Sequence, residues 1–135
     1  MSGLRIHDEQ QLPWITPSDR LPPAELEALT EGERTVRMAV RELGTADQPQ
    51  LLEIKYQPGA RIKPHAHAED EIVFVREGEL HLGTRVLKAG DSMFIARRSF
   101  YSFQAGPEGL TILNFRPRKD ETYYELGKGE RKSVL

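Results

Sequence analysis

The 135-residue chain contains no cysteine, which rules out disulfides, zinc–thiolate sites and thiol nucleophiles. It has no apolar run approaching the ~20 residues of a membrane helix. Its first residues, Met-Ser-Gly-Leu-Arg-Ile-His-Asp-Glu, lack the apolar stretch of a secretory signal. Together these absences predict a soluble, cytoplasmic protein. No long basic block occurs either. The 19 basic and 21 acidic side chains are mixed along the chain for a formal net charge of −2, so neither nucleic acid nor membrane is an expected partner. Helical periodicity is missing over any long stretch, and no internal repeat is visible.

What remains is the composition of one soluble globular domain, 38% apolar and 30% charged. Residues 1–35 read as an irregular arm punctuated by Pro13, Pro17, Pro22 and Pro23, with Trp14 as its large anchor and one helical segment over Ala24 to Leu29 that ends before Gly32. The arm lies over the domain or over a partner subunit. Residues 36–117 hold short apolar runs closed by turn signals: Val36 to Leu43, Leu51 to Tyr56, Glu71 to Arg76, Glu79 to Leu82, Ser92 to Ala96 and Leu110 to Phe115. Such strands, spaced by glycine and proline, predict an all-β sandwich or barrel. Residues 118–135 form a charged tail, a mobile end or an exchanged arm, in which Tyr123, Tyr124 and Leu126 are the side chains able to dock.

His65 and His67 stand two apart, so on an extended strand both imidazoles face one locus. Glu71 follows after a short polar stretch that suits a hairpin, and opens the returning strand opposite the histidines. Two neutral imidazoles and a carboxylate make the facial set that favours iron(II) or a similar divalent metal with open positions. A His-x-His pair alone is more often solvated surface. Gly59 and Gly78, however, frame this one in the pattern G-x5-H-x-H-x3-E-x6-G.

That pattern resembles the first motif of the cupin superfamily at every fixed position, and the resemblance covers roughly residues 50 to 116. It implies a double-stranded β-helix (jelly-roll) cupin barrel with one divalent transition metal near its mouth, iron first and manganese, nickel or zinc otherwise. The second cupin motif begins at Gly90-Asp91 and then departs, with Ala96, Arg98, Tyr101 and Ala105 at its proline, glycine, histidine and asparagine positions. Tyr101 thus replaces the usual fourth ligand. Three roles stay open for it: phenolate ligand, hydrogen-bond donor or proton-transfer group beside the metal, or packing residue. His81 alternates with Leu80 and Leu82 and faces outward if those leucines face the core.

If the strand runs regularly from Arg61 to His67, Arg61 and Lys63 share the histidines' face and are candidates to bind an anionic substrate group, against the plainer role of solvated rim cations. Phe94, Phe100, Phe103 and Tyr56 read as core. Leu110, Ile112, Asn114 and Arg116 share one strand face, Leu113 and Phe115 the other, and the sequence does not choose the inward one. The functional expectation is a small-molecule metalloenzyme of dioxygenase, lyase or isomerase type, assembled as a homodimer. A non-catalytic binding or sensor cupin with a structural metal is the alternative.

Overall fold

Short runs rich in Val, Ile, Leu and Phe suit pleated strands, and the chain folds accordingly. The computed structural model describes residues 3–127 and the backbone of residues 129–132. Ten strands follow in order: β1 (Trp14–Ile15), β2 (Arg37–Glu42), β3 (Gln50–Tyr56), β4 (Arg61–Ala66), β5 (Glu71–Leu82), β6 (Arg85–Lys88), β7 (Ser92–Ile95), β8 (Tyr101–Arg116), β9 (Thr122–Glu125) and β10 (Gly129–Lys132). Their order is β1-β2-β3-β8-β4-β9-β10, with β5 pairing β6, β7 and β8, and the pairings among them are antiparallel. This is the jelly roll that the glycine-framed motif implies. Among the described residues no helix is long and apolar enough to cross a membrane.

Strand β8 is the hub. Its first residues pair with β4 and with the end of β5, while Leu110 to Arg116 lie between β3 and β5. Leu52, Val73, Val75 and Leu80, each no more than 1% exposed, form the centre of the core. Burying a side chain of this kind contributes on the order of 1.5–3 kcal/mol.

Two strands that the sequence divides are continuous. Gly78 lies within β5 at φ 76°, flanked by register shifts on both sides. A Cβ there would stand 2.1 Å from the Gly109 carbonyl oxygen. The glycines therefore mark a bend where two strands approach closely, not a strand end. Phe94 and Phe100 also depart from expectation, at 65% and 45% exposed, whereas Phe103 is buried. On β7 it is Met93 and Ile95 that pack on the core, so the alternation turns Phe94 outward.

The arm carries two short helices, α1 (Pro23–Glu27) and α2 (Glu31–Arg34). Gly32 sits inside α2 and does not terminate α1. It lies on Ala60, whose Cα would be 2.6 Å from an added Cβ. Thr30 and Glu33 cap α2 reciprocally. They also bind β4: Glu33 Oε2 accepts from the Lys63 amide at 3.0 Å, and Thr30 Oγ1 donates to the Arg61 carbonyl at 2.7 Å. This part of the arm lies over its own domain and braces the histidine strand.

Part of the tail forms strands, where the sequence expects a mobile end or an exchanged arm. Residues of β9 extend the sheet beside β4, pairing Glu125 with His65 and Tyr124 with Ala66. The last three residues of the chain, 133–135, lie outside the described ones.

Candidate functional site

Register on β4 decides which side chains reach the barrel interior. Ile62 pairs with Phe103 and His65 with Tyr101, and the register shifts between them. That irregularity breaks the alternation, so Ile62 shares the inward side with His65 while Arg61 stays exposed. The Lys63 ammonium donates to the Ala28 carbonyl at 2.7 Å and lies 3.7 Å from Glu33 and 4.0 Å from Glu125. Arg61 and Lys63 line an open groove with Pro64, His81 and Gln104, apart from the barrel cavity. His81 leaves the core as its alternation predicts and meets Glu79 at 2.9 Å.

His65 and His67 are both buried, with ring centroids 5.1 Å apart and ring planes at 80°. His65 Nδ1–H donates to the Lys63 carbonyl at 2.9 Å and His67 Nδ1–H to the Thr122 carbonyl at 2.6 Å. A carbonyl only accepts, so each Nδ1 carries the hydrogen and each Nε2 keeps a free lone pair. Burial, reinforced by the neighbouring His67, lowers the His65 pKa to about 4. Burial and then the Arg116 charge lower that of His67 to about 3. Both imidazoles are neutral at pH 7. Tyr123 stacks parallel on His65 at 4.9 Å, and Tyr101 tilts against its ring at 4.5 Å.

Glu71 is 1% exposed, and its carboxylate is held from several sides. Its Oε1 accepts from Asn114 Nδ2 at 2.9 Å and from Arg116 Nη2 at 3.4 Å, and the Tyr101 hydroxyl lies 3.4 Å from both oxygens. Burial, then the Glu71 charge, push the Tyr101 pKa well above its ordinary value, so the phenol keeps its proton. Among the described residues no three His, Asp or Glu side chains gather closely enough to form a metal cage. The structure thus brings His65, His67 and Tyr101 together, and turns the Glu71 carboxylate towards Asn114 and Arg116.

The histidine loop is held from the tail. Asp120 Oδ1 accepts from the Thr122 amide and hydroxyl at 2.8 and 2.6 Å, and Thr122 Oγ1 accepts from the Ala68 amide at 2.8 Å. Asp120 Oδ2 accepts from the Glu69 amide at 3.2 Å. A partly open cavity of about 90 Å³ lies at this locus, its polar lining including His65, His67, Tyr101, Asn114, Arg116 and Tyr123, with Glu33 and Tyr56 also on its wall. Sequence reasoning misses Asn114, Arg116 and Tyr123. The signal for the first two is their sharing a face with Leu110 and Ile112, which proves to be the inward one.

Residues 52–113 match the family model described as a cupin domain. No curated protein matches the chain. Among solved structures, an RmlC-like cupin from Shewanella frigidimarina NCIMB 400 is 20% identical with a TM-score of 0.63, covering 87% of this chain and 94% of that one. KdgF from Halomonas sp. is 23% identical with a TM-score of 0.54, over 66% of this chain and 84% of its own. The polyketide cyclase RemF from Streptomyces resistomycificus is 19% identical with a TM-score of 0.67, covering 91% and 85%. At these identities the likeness is one of fold.

Proposed function

This chain belongs to the cupin superfamily, and from that premise we propose that it is a metal-dependent enzyme acting on a small molecule held in the barrel cavity. The observation that carries this reading is the anchoring of both Nδ1 atoms to backbone carbonyls, at 2.9 and 2.6 Å. Metal-ligating histidines have their second ring nitrogen fixed in this way, which sets the tautomer and presents Nε2 to the ion. Neutral imidazoles are also the form that binds metal. The two histidines therefore fit a divalent transition metal, iron(II) first and manganese, nickel or zinc otherwise.

For Glu71 to serve as a third ligand its carboxylate must turn from this arrangement and offer Oε2, whose contact among the described residues is the long one from Tyr101, 3.4 Å away. Its Oε1 is taken by Asn114 and Arg116. A bound ion would supply Lewis-acid polarisation of a substrate oxygen. The chain's own residues do the rest. Tyr101 holds a proton at Oη beside the cavity, ready to be donated to a developing oxyanion. Glu71 orients that hydroxyl, Arg116 balances the Glu71 charge, and the apolar walls keep bulk water from the locus.

The test is metal titration of chelator-treated protein. One equivalent of a transition ion is expected, and His65→Ala or His67→Ala should weaken it by 100-fold or more, since losing even an outer partner of a metal ligand costs roughly 10–100-fold. Refusal of iron, manganese, nickel and zinc alike would end the reading. A second reading, a binding cupin without catalysis, is favoured by the hold of Arg116 and Asn114 on Glu71. It predicts ligand binding that persists unchanged after metal removal.

A further inference from the structure

We propose that the barrel cavity takes a compact, uncharged molecule with an apolar body, and that Leu29 of the arm sets the size it accepts. This rests on reading the cavity as the ligand site, and it does not require the metal. At about 90 Å³ the cavity is smaller than the ~150 Å³ apolar cavity that takes one benzene, which keeps the ligand compact. Leu52, Ile54, Val73, Met93 and Ile112 on its wall suit an apolar body.

Charge on the wall is already spoken for. Apart from the histidines, Glu33 and Arg116 are its ionisable acid and base among the described residues. Arg116 Nη1 donates to the Asp120 carbonyl at 3.0 Å and to Gln50 Oε1 at 3.3 Å, while Nη2 faces Glu71 at 3.4 Å. Glu33 accepts from the Thr30 amide at 2.9 Å and the Lys63 amide at 3.0 Å. At pH 8 an imidazole of ordinary pKa ~6.5 carries no charge, so the histidines draw no anion either. A carboxylate entering here would lose its water and meet no uncompensated cation.

Leu29 differs from the rest of the apolar wall. It lies between α1 and α2 and is 6% exposed, yet among the described aliphatic side chains on the wall it alone stands outside the core cluster. The helix before it, α1, buries none of its residues. Both neighbours of Leu29 in the chain are tied to β4. Thr30 Oγ1 donates to the Arg61 carbonyl and the Ala28 carbonyl accepts from Lys63 Nζ, each at 2.7 Å. The bond from the Lys63 amide to Glu33 adds a tie that no side-chain change at Lys63 removes. Leu29 thus holds a fixed place in the wall. Trimming it widens the cavity without opening the core, whereas trimming Leu52 or Val73 would do both.

Three probes test this on full-length protein at pH 8, with chelator present so that no ion lends a carboxylate its partner. Isobutyramide and isobutyrate share one shape and differ in charge; cyclopentanecarboxamide is uncharged and larger by two carbons. Affinities are read by NMR from the Met93 methyl group, which lines the cavity. Isobutyramide should bind at least about tenfold more tightly than isobutyrate, the cost of desolvating an unpaired carboxylate. Cyclopentanecarboxamide should bind more weakly than isobutyramide, because it overpacks the cavity, and Leu29→Ala should raise its affinity relative to isobutyramide about fivefold or more. If Leu29→Ala melts near the assay temperature, Leu29→Val should move the ratio the same way by about twofold. Isobutyrate binding as tightly as isobutyramide overturns the proposal. So does no shift with any probe, or a size preference that neither variant moves. A failed metal titration with the ranking intact sinks the metal reading alone; an intact titration with the wrong ranking sinks this one alone.

Discussion

Strand β5 breaks the ordinary rule of apolar inside and polar outside on both faces, at one carboxylate within and two large apolar side chains without. Its inward residues are Glu71, Val73 and Val75, each at most 1% exposed; its outward ones include Ile72 and Phe74, at 45% and 40% exposed. The inner face carries a buried carboxylate with Asn114 and Arg116 across the sheet, and the outer face continues into Phe94 and Phe115 through the pairs Ile72–Phe94 and Ile72–Phe115. A buried polar cluster beside a cavity is retained for a ligand or for chemistry. A contiguous exposed apolar patch is retained for a partner surface. From this contrast we propose that the barrel interior serves a small molecule and the outer sheet a partner surface.

The largest expected effect comes from breaking the inner side. Arg116→Met leaves Glu71 buried without its cation, and removing one partner of a buried pair costs about 3–5 kcal/mol. Urea unfolding should show that loss; a cost below about 1 kcal/mol, the value of a surface pair, would mean that Glu71 does not depend on Arg116.

Acid should weaken the same face. Unfolded, each imidazole binds its proton near pH ~6.5. Folded, burial holds His65 to about 4 and His67 to about 3. Between those values the unfolded chain takes up protons that the folded chain refuses, so acid favours unfolding. Stability of chelator-treated protein is fully present above pH ~6.5 and falls as the pH drops towards 4. The loss amounts to a few kcal/mol, because each tenfold difference in proton affinity between the two states is worth ~1.4 kcal/mol. Asp120 adds to the loss at lower pH. Burial alone would raise its pKa, but the Thr122 hydrogen bonds and Arg116 hold it below the usual value. Stability that stays flat from pH 7 to pH 4.5, followed by thermal melts, would show that these histidines are not held neutral by the fold.

On the outer face the expected occupant is a second copy of the chain. Ile72, Phe74, Phe94 and Phe115 carry no charge, so a two-fold axis can lay the patch on itself without burying an unpaired ion. Light scattering at micromolar concentration should give a dimer mass. Phe94→Asp, which sets two carboxylates near the axis, should shift the equilibrium towards monomer by about tenfold or more. A monomeric wild type would return the patch to solvent.

Much of this contrast is readable in the sequence. Gly59, His65, His67, Glu71 and Gly78 specify the barrel and its histidine strand because their spacing repeats a known motif. The inward face of β8 is not readable, since Asn114 and Arg116 alternate with Leu113 and Phe115 and hydrophobicity favours neither side. The docking of Tyr123 against His65 depends on contacts between residues far apart in sequence, which local patterning cannot supply. Gly78 reads as punctuation because a bend and an end use the same residue; the close approach of Gly109 distinguishes them, and it exists only in three dimensions.

The smallest effect tests the bulge on β4, where strand parity fails. A regular strand would put Lys63 beside His65 and make it a substrate cation, so that Lys63→Ala would raise KM for an anionic substrate. The register shift between Ile62 and His65 instead leaves its ammonium on the Ala28 carbonyl, partly exposed and near Glu33 and Glu125. Exposed pairs of this kind contribute about 0–1 kcal/mol. Lys63→Ala should therefore cost no more than about 1 kcal/mol in urea unfolding and leave the affinity of a cavity ligand within about twofold, because the side chain braces the arm and does not line the cavity. A larger fall in affinity for an anionic probe such as cyclopentanecarboxylate would put Lys63 back in the cavity, and would mean that β4 relaxes to regular alternation when a ligand binds.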